Sequence, residues 1–243
     1  MRALAAPWRL MLAVLHALRG WFDIVVLFPH WSPQRREARV QAWAAAMLRI
    51  LGIALQVEGT PAPRGPVLLV ANHTSWLDVL VMHAARYCRF VSKADVKHWP
   101  LIGTLATGGG TLYIEREKRR DAMRVVHHMA QSLQSGEIVA VFPEGTTSDG
   151  RTLLPFHGNL VQAAISANAP VQPVGLRFID AATGQDSIGP LYLGDDTLLK
   201  SVWRTLAGPP FVARVRFGVM ETADGRDRRR WAEDLRQAVD SIR

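Results

Sequence analysis

The sequence predicts an α/β fold: a largely parallel or mixed central sheet flanked by helices, with a membrane-associated helical pair at the N-terminus. Three observations predict it. From Ile53 onward, short runs rich in β-branched and aromatic residues alternate with stretches of helical period, the pattern of strands joined by helical crossovers. The first fifty residues lack that rhythm and are helical, apolar and rich in Arg and Trp. The length, 243 residues, suits one domain with an appendage, divided here into an N-terminal segment, 1–51, and an α/β domain, 52–243.

Residues 8–28 hold two apolar stretches, 10–18 and 20–28, split by Arg19 and with Asp23 inside the second. Neither alone reaches the roughly 18–20 apolar residues that a bilayer span requires. Joined, they would carry both charges to mid-bilayer at about 2.5–3.5 kcal/mol each, softened if Arg19 and Asp23, four apart on a helix, pair. No small-residue cleavage site follows, so a signal peptide fits poorly. Pro29 and Pro33 bracket a break, and 34–51 read as an amphipathic helix. Trp43, Met47, Ile50 and Leu51 share one face of it, while Arg35, Arg36, Arg39 and Arg49 supply positive charge. The first fifty residues carry seven Arg against Asp23 and Glu37, and four of the eight Trp. Indole rings and guanidinium groups together suit the lipid headgroup layer, so this segment is expected to lie on or shallowly in a membrane. A true span and a pair of ordinary core helices are the other readings of the same residues.

The strands are expected at 53–58, 67–71, 89–92, 111–115, 138–142, 171–178 and 211–217, with helices at about 76–86, 118–135, 159–168 and 227–242. The most loop-like stretch is 180–210, rich in Gly, Asp and Pro, and the basic run at 226–230 opens the last helix as a solvated face.

Composition narrows the function. Hydrophobic residues at 49% and charged residues at 21% exclude a disordered or collagen-like chain. The single cysteine, Cys88, excludes an internal disulfide framework and a cysteine-based zinc site, and favours a reducing compartment. The net charge of +8 is Arg-dominated and mixed with Trp and apolar runs, without a nucleic-acid recognition motif, so nucleic acid is not an expected partner.

Four blocks near strand ends, where α/β sheets place their sites, carry the chemistry. In 70–78 (VANHTSWLD) a strand ends and a helix begins near Ser75, with Ser75 and Asp78 spaced as a capping box. His73 stands just before that helix, and its ring can fold back toward Asp78. A carboxylate on one imidazole nitrogen fixes the tautomer and frees the other as a base. The same residues also read as a cap beside a polar loop histidine. In 110–117 (GTLYIERE) Arg116 emerges as a strand ends, placed to fork onto a phosphate. In 141–150 (VFPEGTTSDG) a strand runs into Pro143, Glu144, Gly145 and Thr146, where backbone N–H groups can cradle an anion and Glu144 can orient a hydroxyl or an Arg. The fourth block, 171–178, is a buried strand containing Pro173, a floor rather than chemistry. Lys93 is a further anion contact after the strand at 89–92. The sequence has no Walker phosphate loop, no Gly-x-Ser-x-Gly elbow and no zincin pair, since His127 and His128 are adjacent. No covalent nucleophile accompanies His73, which points to direct transfer with His73 as base.

In this order and spacing, the blocks resemble those of the lysophospholipid acyltransferase family. The family's N-H-x-x-x-x-D motif is matched by Asn72, His73 and Asp78, and its Gly-to-Arg block by Gly110, Tyr113, Ile114 and Arg116. Its F-P-E-G-T motif is matched by Phe142 to Thr146, and its Pro-containing strand by Pro173 and Val174. The resemblance implies an acyl-thioester-dependent O-acyltransferase of phospholipid biosynthesis. His73 would deprotonate a lysolipid hydroxyl and Asp78 would orient His73. Arg116 and Lys93 would hold a substrate phosphate, and Glu144 with the Gly145–Thr146 backbone would position the acceptor. It implies no cofactor beyond acyl-CoA or acyl carrier protein as co-substrate. The implied partners are membrane lipids, a lysolipid and that carrier; the implied location is the cytoplasmic face of a bacterial inner membrane. The simplest acceptor is 1-acyl-sn-glycerol-3-phosphate, giving phosphatidic acid. Thr147 stands where many phosphatidate-forming members have Arg, one cation fewer for a phosphate; members acylating other lysolipids, including lyso-ornithine lipid, resemble this variant. A non-catalytic lipid-binding relative is the alternative from a different class.

Overall fold

The structure, a computed structural model, describes residues 2–114, 119–194 and 196–243. Its first element, α1 (Arg2–Phe22), continues without a break through a π-helical turn (Asp23–Leu27) and a 3-10 turn (Phe28–His30). Ser32 then caps α2 (Pro33–Leu51), its hydroxyl accepting from Arg35 N–H, with Pro33 in the first turn where a missing N–H costs nothing. Gly52, in the left-handed region at φ 71°, ends the helix.

The two faces of α1 differ sharply. Ala6, Ala13 and Gly20 recur every seven residues and are buried. Their small size lets α2 approach: a Cβ on Gly20 would lie 2.6 Å from Trp43 Nε1. Trp43 donates that N–H to the His16 carbonyl at 3.0 Å and stacks on the His16 ring, centroids 5.2 Å apart. On the outer face Leu4, Trp8, Met11, Leu15, Leu18 and Phe22 are all exposed, and their spacing of four and three sets them in one stripe. The 29 residues from Arg2 to His30 are long and apolar enough to cross a membrane by length and composition. The expected pair forms, Arg19 Nε to Asp23 Oδ1 at 3.0 Å, and Arg39 of α2 joins it at 2.5 Å from Oδ2. Asp23 is only 1% exposed, so two guanidinium groups neutralise a buried carboxylate at the hinge between the helices.

Seven strands make one sheet: β1 (Ala54–Glu58), β2 (Val67–Ala71), β3 (Arg89–Lys93), β4 (Leu112–Ile114), β5 (Ile138–Val141), β6 (Val171–Asp180) and β7 (Phe211–Phe217). Their order is β1-β7-β6-β2-β5-β3-β4. Pairing is parallel throughout except between β6 and β7, so the sheet is mixed, with its parallel part centred on β2. The connecting helices are α3 (Leu77–Ala85), α4 (Ile102–Gly108), α5 (Arg119–Gln134), α6 (Gly158–Ala167), α7 (Leu198–Ala207) and α8 (Arg228–Ile242). One apolar cluster joins α1, α2, α3 and α7 to one face of the sheet. A second joins α5, α6 and α8 to the other. The whole of β2 is buried, sandwiched between the layers as an interior parallel strand must be.

Two helices fall where none was expected. The stretch 180–210 is not all loop: α7 occupies its second half, capped by the Thr197 hydroxyl accepting from Lys200 N–H. Its ten residues bury Ser201, Thr205 and Leu206, and the Gly-, Asp- and Pro-rich run before it masked so short a period. The seven-residue α4 is hidden in the same way by Gly108–Gly110. The helix after β2 starts at Leu77, one residue later than the cap at Ser75 implied.

Candidate active site

The carboxyl ends of β2 and β5 lie side by side, and the loops that leave them are sewn together. Asn72, 1% exposed, extends the β2–β6 ladder with its side chain: its amide donates to Leu176 O at 2.9 Å and accepts from Leu176 N at 2.7 Å. The chain is therefore fixed up to the residue before His73. From there His73 N–H donates to Glu144 Oε1 at 2.7 Å, and Ser148 N–H donates to His73 O at 2.8 Å.

With its backbone held at both ends, His73 folds its ring toward α3. Nδ1 lies 2.8 Å from Asp78 Oδ2, and the ring stacks on Phe142, centroids 4.1 Å apart and planes within 9°. The same Oδ2 accepts Thr74 N–H at 2.7 Å and Ser75 N–H at 2.9 Å. Asp78 thus reaches back from the first turn of α3 to cap the loop before it. Ser75 caps the helix as its spacing with Asp78 implies, its hydroxyl accepting from Leu77 N–H at 3.2 Å while Asp78 takes the Ser75 N–H, and the same hydroxyl donates to Pro190 O at 2.6 Å. The carboxylate is fully buried while the His73 side chain is 20% exposed. A carboxylate can only accept here, so the proton sits on Nδ1 and the lone pair on Nε2. Among the described residues Nε2 has no hydrogen-bond partner, which leaves it able to take a proton from a bound hydroxyl.

Glu144, expected at the acceptor, is turned inward at 4% exposure. Oε1 takes the His73 N–H and Oε2 the Leu154 N–H at 3.0 Å. Burial pushes its carboxyl above the usual range, opposed by those two N–H groups, the Ser148 hydroxyl and His73. The residue braces three loops, and both of its oxygens are committed to backbone. Gly145 takes φ 73°, a value that suits glycine, and Thr146 is exposed at the tip of the same loop. Lys93 ends β3 on the same edge of the sheet, exposed and without an ion-pair partner among the described residues. Arg116 lies outside the described residues.

A strap that no pattern in the sequence signals closes over both loops. Residues 186–194 and 196–197 lie between β6 and α7, and Tyr192 N–H donates to Thr74 O at 3.0 Å while Thr147 Oγ1 donates to Tyr192 O at 2.6 Å. Arg204 of α7 holds the strap by donating to Gly189 O and Leu191 O and pairing with Asp196 at 2.8 Å. Behind the site an aromatic row runs inward from His73 through Phe142 and Phe90 to His83, the last two centroids 5.0 Å apart. Burial pulls His83 down to about 4, so it is neutral, and its Nδ1 has no hydrogen-bond partner among the described residues.

A histidine held by a buried carboxylate at the carboxyl end of a parallel strand can exchange a proton with a bound hydroxyl, and the fold is of the α/β class. Comparison with known proteins gives the chemistry. Residues 54–177 match the family model described as Acyltransferase. The chain is 36% identical over 213 residues to the 1-acyl-sn-glycerol-3-phosphate acyltransferase of Neisseria meningitidis serogroup B, covering 86% of this chain and 82% of that one. It is also 36% identical over 204 residues to the lyso-ornithine lipid O-acyltransferase of Pseudomonas aeruginosa, covering 84% and 78%. The crystal structure of the 1-acyl-sn-glycerophosphate acyltransferase PlsC from Thermotoga maritima shares the fold, with a TM-score of 0.65 and 19% identity over 96% of this chain and 97% of that one. The chain belongs to the acyltransferase family and is an acyltransferase.

Proposed function

We propose that this acyltransferase moves a fatty acyl group from a thioester, acyl-CoA or acyl carrier protein, to the free hydroxyl of a lysolipid, first of all 1-acyl-sn-glycerol-3-phosphate. The observation that carries the reading is the contact between His73 Nδ1 and Asp78, with Nε2 left unengaged among the described residues. Nε2 takes the hydroxyl proton as the oxygen attacks the thioester carbonyl, and Asp78 stabilises the imidazolium that forms. The tetrahedral intermediate then expels the thiolate. The C–S bond breaks, the thiolate recovers the proton from His73, and the new ester and free thiol leave. Gly145 N–H already donates to Phe142 O at 3.1 Å, so the Thr146 backbone N–H of this turn is the candidate for holding the oxyanion, and Lys93 with Arg116 for a phosphate. No resident cofactor takes part. The apolar stripe of α1 rests in the cytoplasmic leaflet and brings the site to lipid substrates.

A second acceptor, lyso-ornithine lipid, is favoured by one observation: Thr147 brings no cation, and its hydroxyl is spent on Tyr192. The test is free-thiol release by purified protein with acyl-thioester, in the presence and absence of each lysolipid, with products identified by mass spectrometry. Release that requires a lysolipid and vanishes in His73→Ala supports the reading. Undiminished release in that variant overturns the mechanism.

A further inference from the structure

The strap and the brace account for the polar side chains of the Glu144–Thr147 loop except one, and a residue outside every sequence block stands beside it. Leu154 N–H donates to Glu144 Oε2 at 3.0 Å and His157 N–H to Pro143 O at 2.9 Å, so residues 154–157 are zipped along the Pro143–Glu144 turn. That register lays the His157 ring on Gly145. Its Nε2 and Cδ2 are each 3.2 Å from the point where a Gly145 side chain would begin. The missing side chain at 145 thus gives the imidazole a close approach to this loop, where a Cβ would crowd the ring by a few tenths of an ångström. His157 is exposed, and neither ring nitrogen has a hydrogen-bond partner among the described residues. Glu144 and Thr147 are both turned to protein acceptors or donors, which leaves Thr146 and His157 as the polar groups the loop presents outward.

We infer that His157 binds the anionic group of the acceptor's head, its ring N–H donating to a phosphate or carboxylate oxygen beside the Gly145 turn. This rests on the lysolipid acyltransferase reading and adds to it a determinant of which head groups are accepted. An imidazole carries at least one N–H in either protonation state, so the contact does not require a charged ring. It supplies at this loop a donor that Thr147, spent on Tyr192, does not. A carboxylate and a phosphate offer the same chemistry to one N–H donor, and the acceptor panel separates them.

The experiment measures kcat and KM for the full chain, His157→Ala and His157→Arg against three acceptors in the same neutral micelles: lysophosphatidic acid, lyso-ornithine lipid and monoacylglycerol, which offers a hydroxyl without an anion. His157→Ala is expected to raise KM about tenfold for at least one anionic acceptor, with kcat within about twofold and monoacylglycerol unaffected. His157→Arg is expected to restore the low KM. A rise confined to lysophosphatidic acid assigns the contact to phosphate, and one confined to lyso-ornithine lipid assigns it to carboxylate. An unchanged KM for both anionic acceptors, or an equal rise for monoacylglycerol, overturns the inference. If the unaltered chain acylates no lysolipid, the functional reading fails first. Equilibrium binding of lysophosphatidic acid and lyso-ornithine lipid without donor then still decides the role of His157: about tenfold weaker binding of either by His157→Ala upholds it, and equal binding of both refutes it.

Discussion

Asp78 meets His73 through a single oxygen. Oδ2 accepts the imidazole Nδ1–H and two backbone N–H groups, whereas Oδ1 is buried without a partner among the described residues. An amide in place of this carboxylate therefore has only one sensible orientation, carbonyl oxygen toward the three donors and NH2 toward the empty side. Asp78→Asn keeps the tautomer and removes the charge. It is expected to lower kcat by roughly 10²-fold, against roughly 10⁴-fold or more for His73→Ala, in initial rates of thiol release at saturating lysolipid. Equal losses in the two variants would show that the carboxylate does more than stabilise the imidazolium.

Glu144 binds one loop N–H with each oxygen, and an amide has only one acceptor oxygen. Glu144→Gln should leave either His73 N–H or Leu154 N–H unsatisfied, at a cost of about 1–3 kcal/mol. Thermal denaturation should show that loss, and the activity that remains should have an almost unchanged KM for lysolipid. A large rise in KM with unaltered stability would place this side chain at the substrate instead.

His83 makes stability depend on pH. Burial holds it near 4, while in the unfolded chain it titrates near 6.5. Between those values the unfolded chain binds a proton that the native one refuses, so this stabilisation is complete above 6.5 and is lost as the pH falls toward 4. At pH 5 the loss is about 2 kcal/mol, or roughly 4–8 °C in melting temperature for a chain of this length. Comparing melts at pH 7 and pH 5 isolates the effect, because His83→Leu should shrink the gap by that amount. An identical gap in the variant would show that other groups carry the acid sensitivity.

The stripe on α1 is open to solvent, with Leu15 54% and Leu18 49% exposed, so charging it should spare the fold. Leu15→Glu with Leu18→Glu is expected to weaken co-sedimentation with anionic vesicles at least tenfold, since two buried leucines each contribute about 1.5–3 kcal/mol. The melting temperature in detergent should hardly move. Undiminished vesicle binding would remove α1 from the lipid contact.

Much of this was readable along the chain because the relevant contacts are local or periodic. Val67–Ala71 and Ile138–Val141 are apolar runs bounded by turn residues, and they became the central strands. Arg19 and Asp23, one helical turn apart, pair as spacing suggests. The reach of Asp78 to His73 spans five residues at a helix entrance. What could not be read depends on distant partners. The inward turn of Glu144 is set by the backbone of His73, 71 residues away. The hydroxyl of Thr147 is claimed by a carbonyl 45 residues on. The place of His157 beside Gly145 follows from a turn register, and no pattern in the sequence signals it.

The edge strand β1 pairs with β7, at Ala54 with Val212 through Glu58 with Arg216. During synthesis, then, its hydrogen bonds must wait for a segment made some 150 residues later. At about 5–20 residues per second that delay is roughly 8–30 s. Throughout it α1, which precedes every strand, has already been synthesised. The α/β part of the molecule is thus assembled after its helical pair has been made, and closure of the sheet is among the last acts of its birth.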